Sequence, residues 1–294
     1  MSVPAAYLGL ILIWSTTPLA IKWSGQDVGF LFGVTGRMLL GAVVCLALIR
    51  LLRVELPWHR AAVRTYLAAG IGIYGSMLCV YWGAQYIPSG LIAVLFGLTP
   101  LVTGALAMAW LGERSFTPGK LAGIAAGLTG LVMIFGGGSQ QGPLALQGIC
   151  AVLVSVVLHS ISSVRVKLIG AEVPALAVTS GGLLVAMPLY LATWWLVDGV
   201  VPRVLPARVA LSIVYLGVVG SVIGFVLYYY VLKRLSAGRV ALITLVTPVT
   251  ALLLGNVLND ERPGLEVWAG TVVILLGLVL YQREARVQDN KPVA

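Results

Sequence analysis

His159 is one of only two histidines in the chain, and it lies midway along an apolar run, VLVSVVLHSISSV. Ser155, Ser162 and Ser163 fall at i−4, i+3 and i+4, so a helix here carries one polar stripe on one face. In lipid such a stripe turns inward, where His159 is either satisfied by a carbonyl or hydroxyl, or serves as a ligand or proton-sensitive group. Arg37 is the one cation well inside an apolar run. It either braces its helix on neighbouring carbonyls or attracts a carboxylate through a two-pronged contact. Aromatic groups add an apolar wall with a few hydroxyls: Trp14 mid-run, Tyr74 and Tyr81 seven residues apart, and Tyr229 within Tyr228-Tyr229-Tyr230. Trp14, Tyr81 and Tyr229 together would form a cage for a small organic solute. Asn256 is a further polar candidate in a late apolar run.

Some of these residues recur. Tyr81–Arg114 reads YWGAQYIPSGLIAVLFGLTPLVTGALAMAWLGER, and Tyr229–Arg262 reads YYVLKRLSAGRVALITLVTPVTALLLGNVLNDER. The fixed offset aligns Tyr81 with Tyr229, Thr99-Pro100 with Thr247-Pro248, and Glu113-Arg114 with Glu261-Arg262. One unit used twice accounts for that register. A Pro inside a helix removes a donor and frees a carbonyl in the preceding turn, so each Thr-Pro predicts a bend that lines a cavity. Each Glu-Arg closes the same helix, as a cap, a boundary ion pair or a gating pair.

The elements that carry these residues must be membrane helices. The 294 residues are 60% hydrophobic and 10% charged, with a mean hydropathy of +1.01. Soluble domains carry about 25% charged residues. Ten runs reach spanning length, at about 5–22, 29–50, 65–86, 89–111, 118–137, 145–168, 174–197, 207–232, 238–258 and 265–282. The expected fold class is therefore an all-α polytopic membrane protein. MSVP has no basic region or cleavage signature, so the first run is expected to be retained.

The formal charge of +9 is not a nucleic-acid footprint, because the basic residues are dispersed in short loops. With the N-terminus in the cytoplasm, the outer loops hold Lys22, Arg203, Arg208 and Arg262. Apart from Arg37, the remaining 14 of the 19 basic residues fall inside. That bias predicts both termini in the cytoplasm. Five spans per half then make the repeats inverted, and inverted repeats place a site near the midplane between them. Lys22 and Lys167 end their spans and are expected at the interface. Cys45, Cys79 and Cys150 lack metal spacing and read as buried small hydrophobes.

Ten spans in two halves, Trp14 followed by Pro18, Arg37 in the second span, and P-x12-E-R closing the fourth and ninth together resemble the drug/metabolite transporter superfamily, most closely its EamA-like branch. The resemblance covers nearly the whole chain. It implies one EamA-like repeat over 1–138, a second over 143–284 and a cytoplasmic tail at 285–294. It also implies a cavity lined by the first, third, fourth, sixth, eighth and ninth spans, with the fifth and tenth to the side. The halves are not equal: Arg37 aligns with Gly181, and Trp14 with His159.

The function expected is alternating-access transport of a small organic metabolite in a bacterial inner membrane, with export of amino acids or related compounds foremost. Uptake and lipid-linked solute flipping share the same fold. A membrane enzyme would need acids or histidines clustered at one face. The sequence offers no such cluster, no H-E-x-x-H, no phosphate-binding loop and no G-x-S-x-G. ATP would not drive the carrier directly. The partners expected are a small-molecule substrate and the bilayer, with no nucleic acid, cofactor or metal; the oligomeric state is left open.

Overall fold

The structure is a computed structural model that describes residues 2–111, 118–136, 144–235 and 243–289. Every element is helical: α1 Val3–Ser24, α2 Phe30–Leu51, α3 Arg60–Gly83, α4 Ser89–Phe96, α5 Thr99–Leu111, α6 Pro118–Gly136, α7 Ala145–Ile169, α8 Ala175–Val197, α9 Ala207–Tyr215, a π-helical stretch Leu216–Ile223, α10 Gly224–Arg234, α11 Ile243–Asn259 and α12 Leu265–Asp289. Seven segments are long and apolar enough to cross a membrane, counting Ser89–Trp110 and Ala207–Arg234 as one each. The apolar parts of α6 and α12 are shorter, Pro118–Ile134 and Leu265–Tyr281, and α11 has 17 residues. These are the ten segments the hydropathy predicts, and the chain is a multi-pass membrane protein.

Local signals set several helix starts. The Ser2 side chain accepts the Ala5 N–H, with Pro4 in the first turn, and His59 Nδ1 accepts the Ala62 N–H at 3.3 Å. Two spans depart from a plain helix. The fourth breaks at Gly97-Leu98, where short-range bonds (Leu98 N–H to Leu95 O, Leu101 N–H to Leu98 O) replace the regular ladder. Pro100 therefore sits in the first turn of α5, where a missing N–H costs nothing. Pro248 lies inside α11 instead. The eighth span loosens into the π-helical stretch before α10.

The packing is two-fold in pattern. α1 packs on α10 and α11, as α7 packs on α3 and on α4–α5. α2 packs on the π-helical stretch, as α8 packs on α3. The remaining main pairs, α2 with α8, α4 with α11, and α6 with α12, are their own counterparts. Exchanging the halves exchanges these contacts. The α6–α12 seam shows the sense of the relation. A Cβ on Gly123 would lie 2.6 Å from Gly277 O, and one on Gly270 would lie 2.5 Å from Gly130 O. Gly123 and Gly130 are matched with Gly277 and Gly270 in reverse order, so the two helices run antiparallel. Equivalent helices running antiparallel are what inverted repeats require, and paired glycines let the backbones touch.

The surface has the character lipid demands. Leu12, Ile71, Val132, Trp195 and Leu211 point outward, while Arg37, Ser76, Ser155, Ser160 and Thr179 are buried. Cys45 is buried as expected, but Cys150 is exposed and Cys79 half-buried; a thiol is apolar enough to sit on a lipid-facing surface.

Candidate functional site

The serine stripe of α7 does face inward, and each hydroxyl has a partner. Ser155 Oγ meets Ser76 Oγ at 2.8 Å, Ser162 donates to Ala68 O at 2.9 Å, and Ser163 donates to His159 O at 2.7 Å while also meeting the Tyr228 hydroxyl. These bonds fix α7 against α3 and α10. They aim His159 at the centre of the bundle.

There the His159 ring joins a cluster. Trp14 stands edge-on to it at 6.3 Å, Phe96 likewise at 6.3 Å, and Tyr228 lies at 5.3 Å; Trp14 and Tyr228 are 5.4 Å apart. Trp14 and His159 occupy corresponding positions in the first spans of the two halves, so equivalent residues meet where the halves join. The cluster walls a cavity of about 90 Å³. α1 contributes Trp14, Thr17, Pro18 and Ile21; α3 contributes Met77 and Val80; α4 contributes Ile92, Ala93 and Phe96. Thr99 enters from the first turn of α5, Thr247 from α11, Phe225 from α10 and Gly220 from the π-helical stretch. A smaller cavity of about 10 Å³ lies behind His159, between Gly72, Ser76, Ser162, Ser163 and Tyr229.

Among the described residues, α2 supplies the only charged side chain in the lining, Arg37. It is 2% exposed. Its Nε donates to Ser221 Oγ at 2.9 Å, and its Nη1 has no hydrogen-bond partner. Thr99 Oγ1, in the same lining, is also buried without a partner. The site is thus an apolar chamber with one guanidinium, one imidazole and three threonines. No group of His, Cys, Asp and Glu suited to a metal occurs among the described residues.

Other residues singled out in the sequence lie elsewhere. Tyr74 bonds Thr193 at 2.7 Å and packs on Tyr190, on the α3–α8 seam. The Tyr81 hydroxyl accepts from Ser24 Oγ at 3.4 Å, and Tyr81 does not line the cavity. Tyr229 packs on Tyr228 and reaches only the smaller cavity, so Tyr228 takes the place beside Trp14 that the expected cage gave to Tyr229. Pro100 and Pro248 lie next to the lining threonines but outside the lining.

Asn256 is exposed near the end of α11, where its Nδ2 donates to Glu261 O at 2.8 Å. Glu261 turns its carboxylate across to the start of α4. It accepts from the Ser89 N–H at 2.9 Å, Ser89 Oγ at 2.9 Å and the Gly90 N–H at 3.3 Å, and from Asn259 Nδ2 at 2.9 Å. Asn259 Oδ1 accepts from Trp23 Nε1, on whose ring the exposed Arg208 lies at 4.0 Å. Arg262 is exposed. Glu113 and Arg114 lie outside the described residues.

Thr17, Phe96, Phe225 and Gly220 were not read from the sequence as site residues. Thr17 carries a signal, three residues after Trp14 on the same helical face. Gly220 and Ser221 carry none, because their placement depends on the π-helical stretch.

Both halves match one family description. Residues 3–136 and 146–282 each fit the EamA-like transporter family. The chain belongs to that family. An uncharacterized transporter of Archaeoglobus fulgidus is 31% identical over 73% of this chain and 75% of its own. The uncharacterized inner membrane transporter YedA of Escherichia coli K12 is 27% identical over 98% of this chain and 93% of its own. A probable terminal-alkyne amino-acid exporter of Streptantibioticus cattleyicolor is 26% identical over 92% and 93%. A crystal structure at 24% identity superposes with a TM-score of 0.70 over 98% of this chain and 99% of that one, which shows a shared fold. The EamA-like chain described here is therefore a membrane transporter, and its family points away from enzymatic activity.

Proposed function

We propose that the chain is a secondary carrier that moves a small organic metabolite by alternating access, exporting amino acids or related compounds across a bacterial inner membrane. The observation that carries this reading is the cavity where the two halves meet, walled by Trp14, Phe96 and His159 and furnished with Arg37, Thr99 and Thr247. An apolar chamber with a few convergent polar groups suits a small organic solute. Inverted halves provide two related pathways to it, one from each side. The named exporter among the relatives supports the direction and the amino-acid class. No phosphate-binding loop is present in the sequence, so the driving force is a solute or ion gradient. The charge bias supports a cytoplasmic side for both termini.

Proteoliposomes preloaded with a panel of amino acids and related metabolites should show counterflow of at least one of them, and gradient-driven uptake of that solute into inverted vesicles should fix the direction as export. Folded protein that moves nothing across the whole panel would overturn the reading.

A further inference from the structure

Within the proposed solute cavity, the lining is electrically lopsided. Among the described residues, Arg37 is its one charged residue, and no Asp or Glu lines it. The described acids all lie in loops or at helix ends: Asp27, Glu55, Glu172, Asp198, Asp260, Glu261 and Glu266, with Glu284 and Asp289 in the last turns of α12. A cation held in a low-dielectric interior needs a counter-charge or a full set of acceptors. Arg37 has neither: Ser221 takes Nε, and Nη1 has no acceptor.

The bond to Ser221 orients the guanidinium, and Nη1 is left buried without an acceptor. Beside Nη2 the chain has Gly220, where a Cβ would lie 3.3 Å away. Thr99, on the same lining, carries a second buried polar atom without a partner, Oγ1. The fold itself does not require an arginine here. The corresponding position in the second half is Gly181, and the Tyr66 ring fills the space a side chain would need.

We propose that Arg37 is the anchor for a substrate carboxylate, and that the solutes selected are organic monocarboxylates with an apolar or aromatic body. Two parallel N–H···O bonds fit a carboxylate to a guanidinium, and Thr99 can donate a third. Trp14, Phe96, Met77 and Phe225 take the body. Among the described residues no lining carboxylate answers an ammonium group, so the carboxylate end governs recognition. This inference rests on the cavity being the solute site.

The test is binding to the protein in nanodiscs, at low ionic strength and free of carboxylate buffers, with three probes of one shape: phenylalanine, its deaminated analogue 3-phenylpropionate, and phenylalaninamide. The expected order is 3-phenylpropionate at least as tight as phenylalanine, with the amide about tenfold weaker or undetectable. Arg37→Gln should abolish the distinction between acid and amide. Should Arg37→Gln fail to fold, Arg37→Lys keeps the cation but loses the planar fork, and should narrow the distinction to about two- to threefold. Equal binding of acid and amide by the wild type overturns the proposal, as does a preference that survives in Arg37→Gln or is unchanged in Arg37→Lys. Binding of none of the three probes, while counterflow shows another class of solute moving, overturns this inference and leaves the carrier intact. Absence of any counterflow overturns the carrier reading itself.

Discussion

At the scale of single residues, the site depends on which rings meet at the centre. Trp14 touches both His159 and Tyr228 and covers one side of the cavity. Replacing it by alanine removes those contacts and one wall of the chamber. Counterflow should fall roughly tenfold, the effect of about 1.4 kcal/mol. Trp195→Ala, at an exposed position, should leave it unchanged. Equal rates for the two variants would remove Trp14 from the site. His159 and Arg37 were legible in the sequence because an ionisable group inside an apolar run must face inward. The choice between Tyr228 and Tyr229 was not legible. Three consecutive tyrosines present three faces, and the π-helical stretch before them shifts the helical phase by a residue. The same shift hid Ser221 as the partner of Arg37.

At the scale of elements, Glu261 acts as a cap supplied from another helix. Its carboxylate closes the first turn of α4 from 172 residues away, satisfying two backbone N–H groups and a hydroxyl. A carboxylate at a helix N-terminus contributes up to about 1 kcal/mol through the helix dipole. This contact ties the end of the ninth span to the start of the fourth, at what the charge bias predicts to be the outer face. Glu261→Gln should loosen that tie and raise the open population about fivefold. A single cysteine at Thr99, in a background lacking Cys45, Cys79 and Cys150, should then react faster with an impermeant maleimide applied outside. An unchanged rate would sink the idea of an outer latch. The repeat predicted that Glu261 ends its helix; the cross-chain partner depends on the three-dimensional arrangement. The Thr-Pro pairs were legible as special positions. Their asymmetry was not, because Gly97-Leu98 breaks only the first of the two helices.

The α6–α12 pair is an element of another kind, a lateral seam closed by glycines. Gly270→Val forces side-chain atoms into the Gly130 carbonyl, and overpacking of this sort costs about 1–3 kcal/mol. The melting temperature of the purified protein should drop by several degrees. The substrate affinity of the surviving folded fraction should be unchanged, since neither helix lines the cavity. A loss of affinity without a loss of stability would contradict this division of labour.

For the whole molecule, the ten spans, the repeat and its inverted sense all follow from hydropathy, register and parity. The antiparallel α6–α12 seam carries the same sense in three dimensions. Orientation rests on the charge count. A fluorescent protein fused at the C-terminus should fluoresce, and a periplasmic phosphatase fused there should stay inactive; the opposite pair of results would reverse the assignment of inner and outer faces. The pairing of Arg37 in one half with Gly181 under Tyr66 in the other has a directional consequence. A chamber between two equivalent halves would offer a solute two equivalent ways to lie, head toward either leaflet. One fixed guanidinium, off the line where the halves join, removes that equivalence. A solute held by its head keeps the same heading whichever mouth is open. It then enters through one mouth with one end leading and leaves through the other with that same end leading, threading the membrane like a bead of fixed polarity.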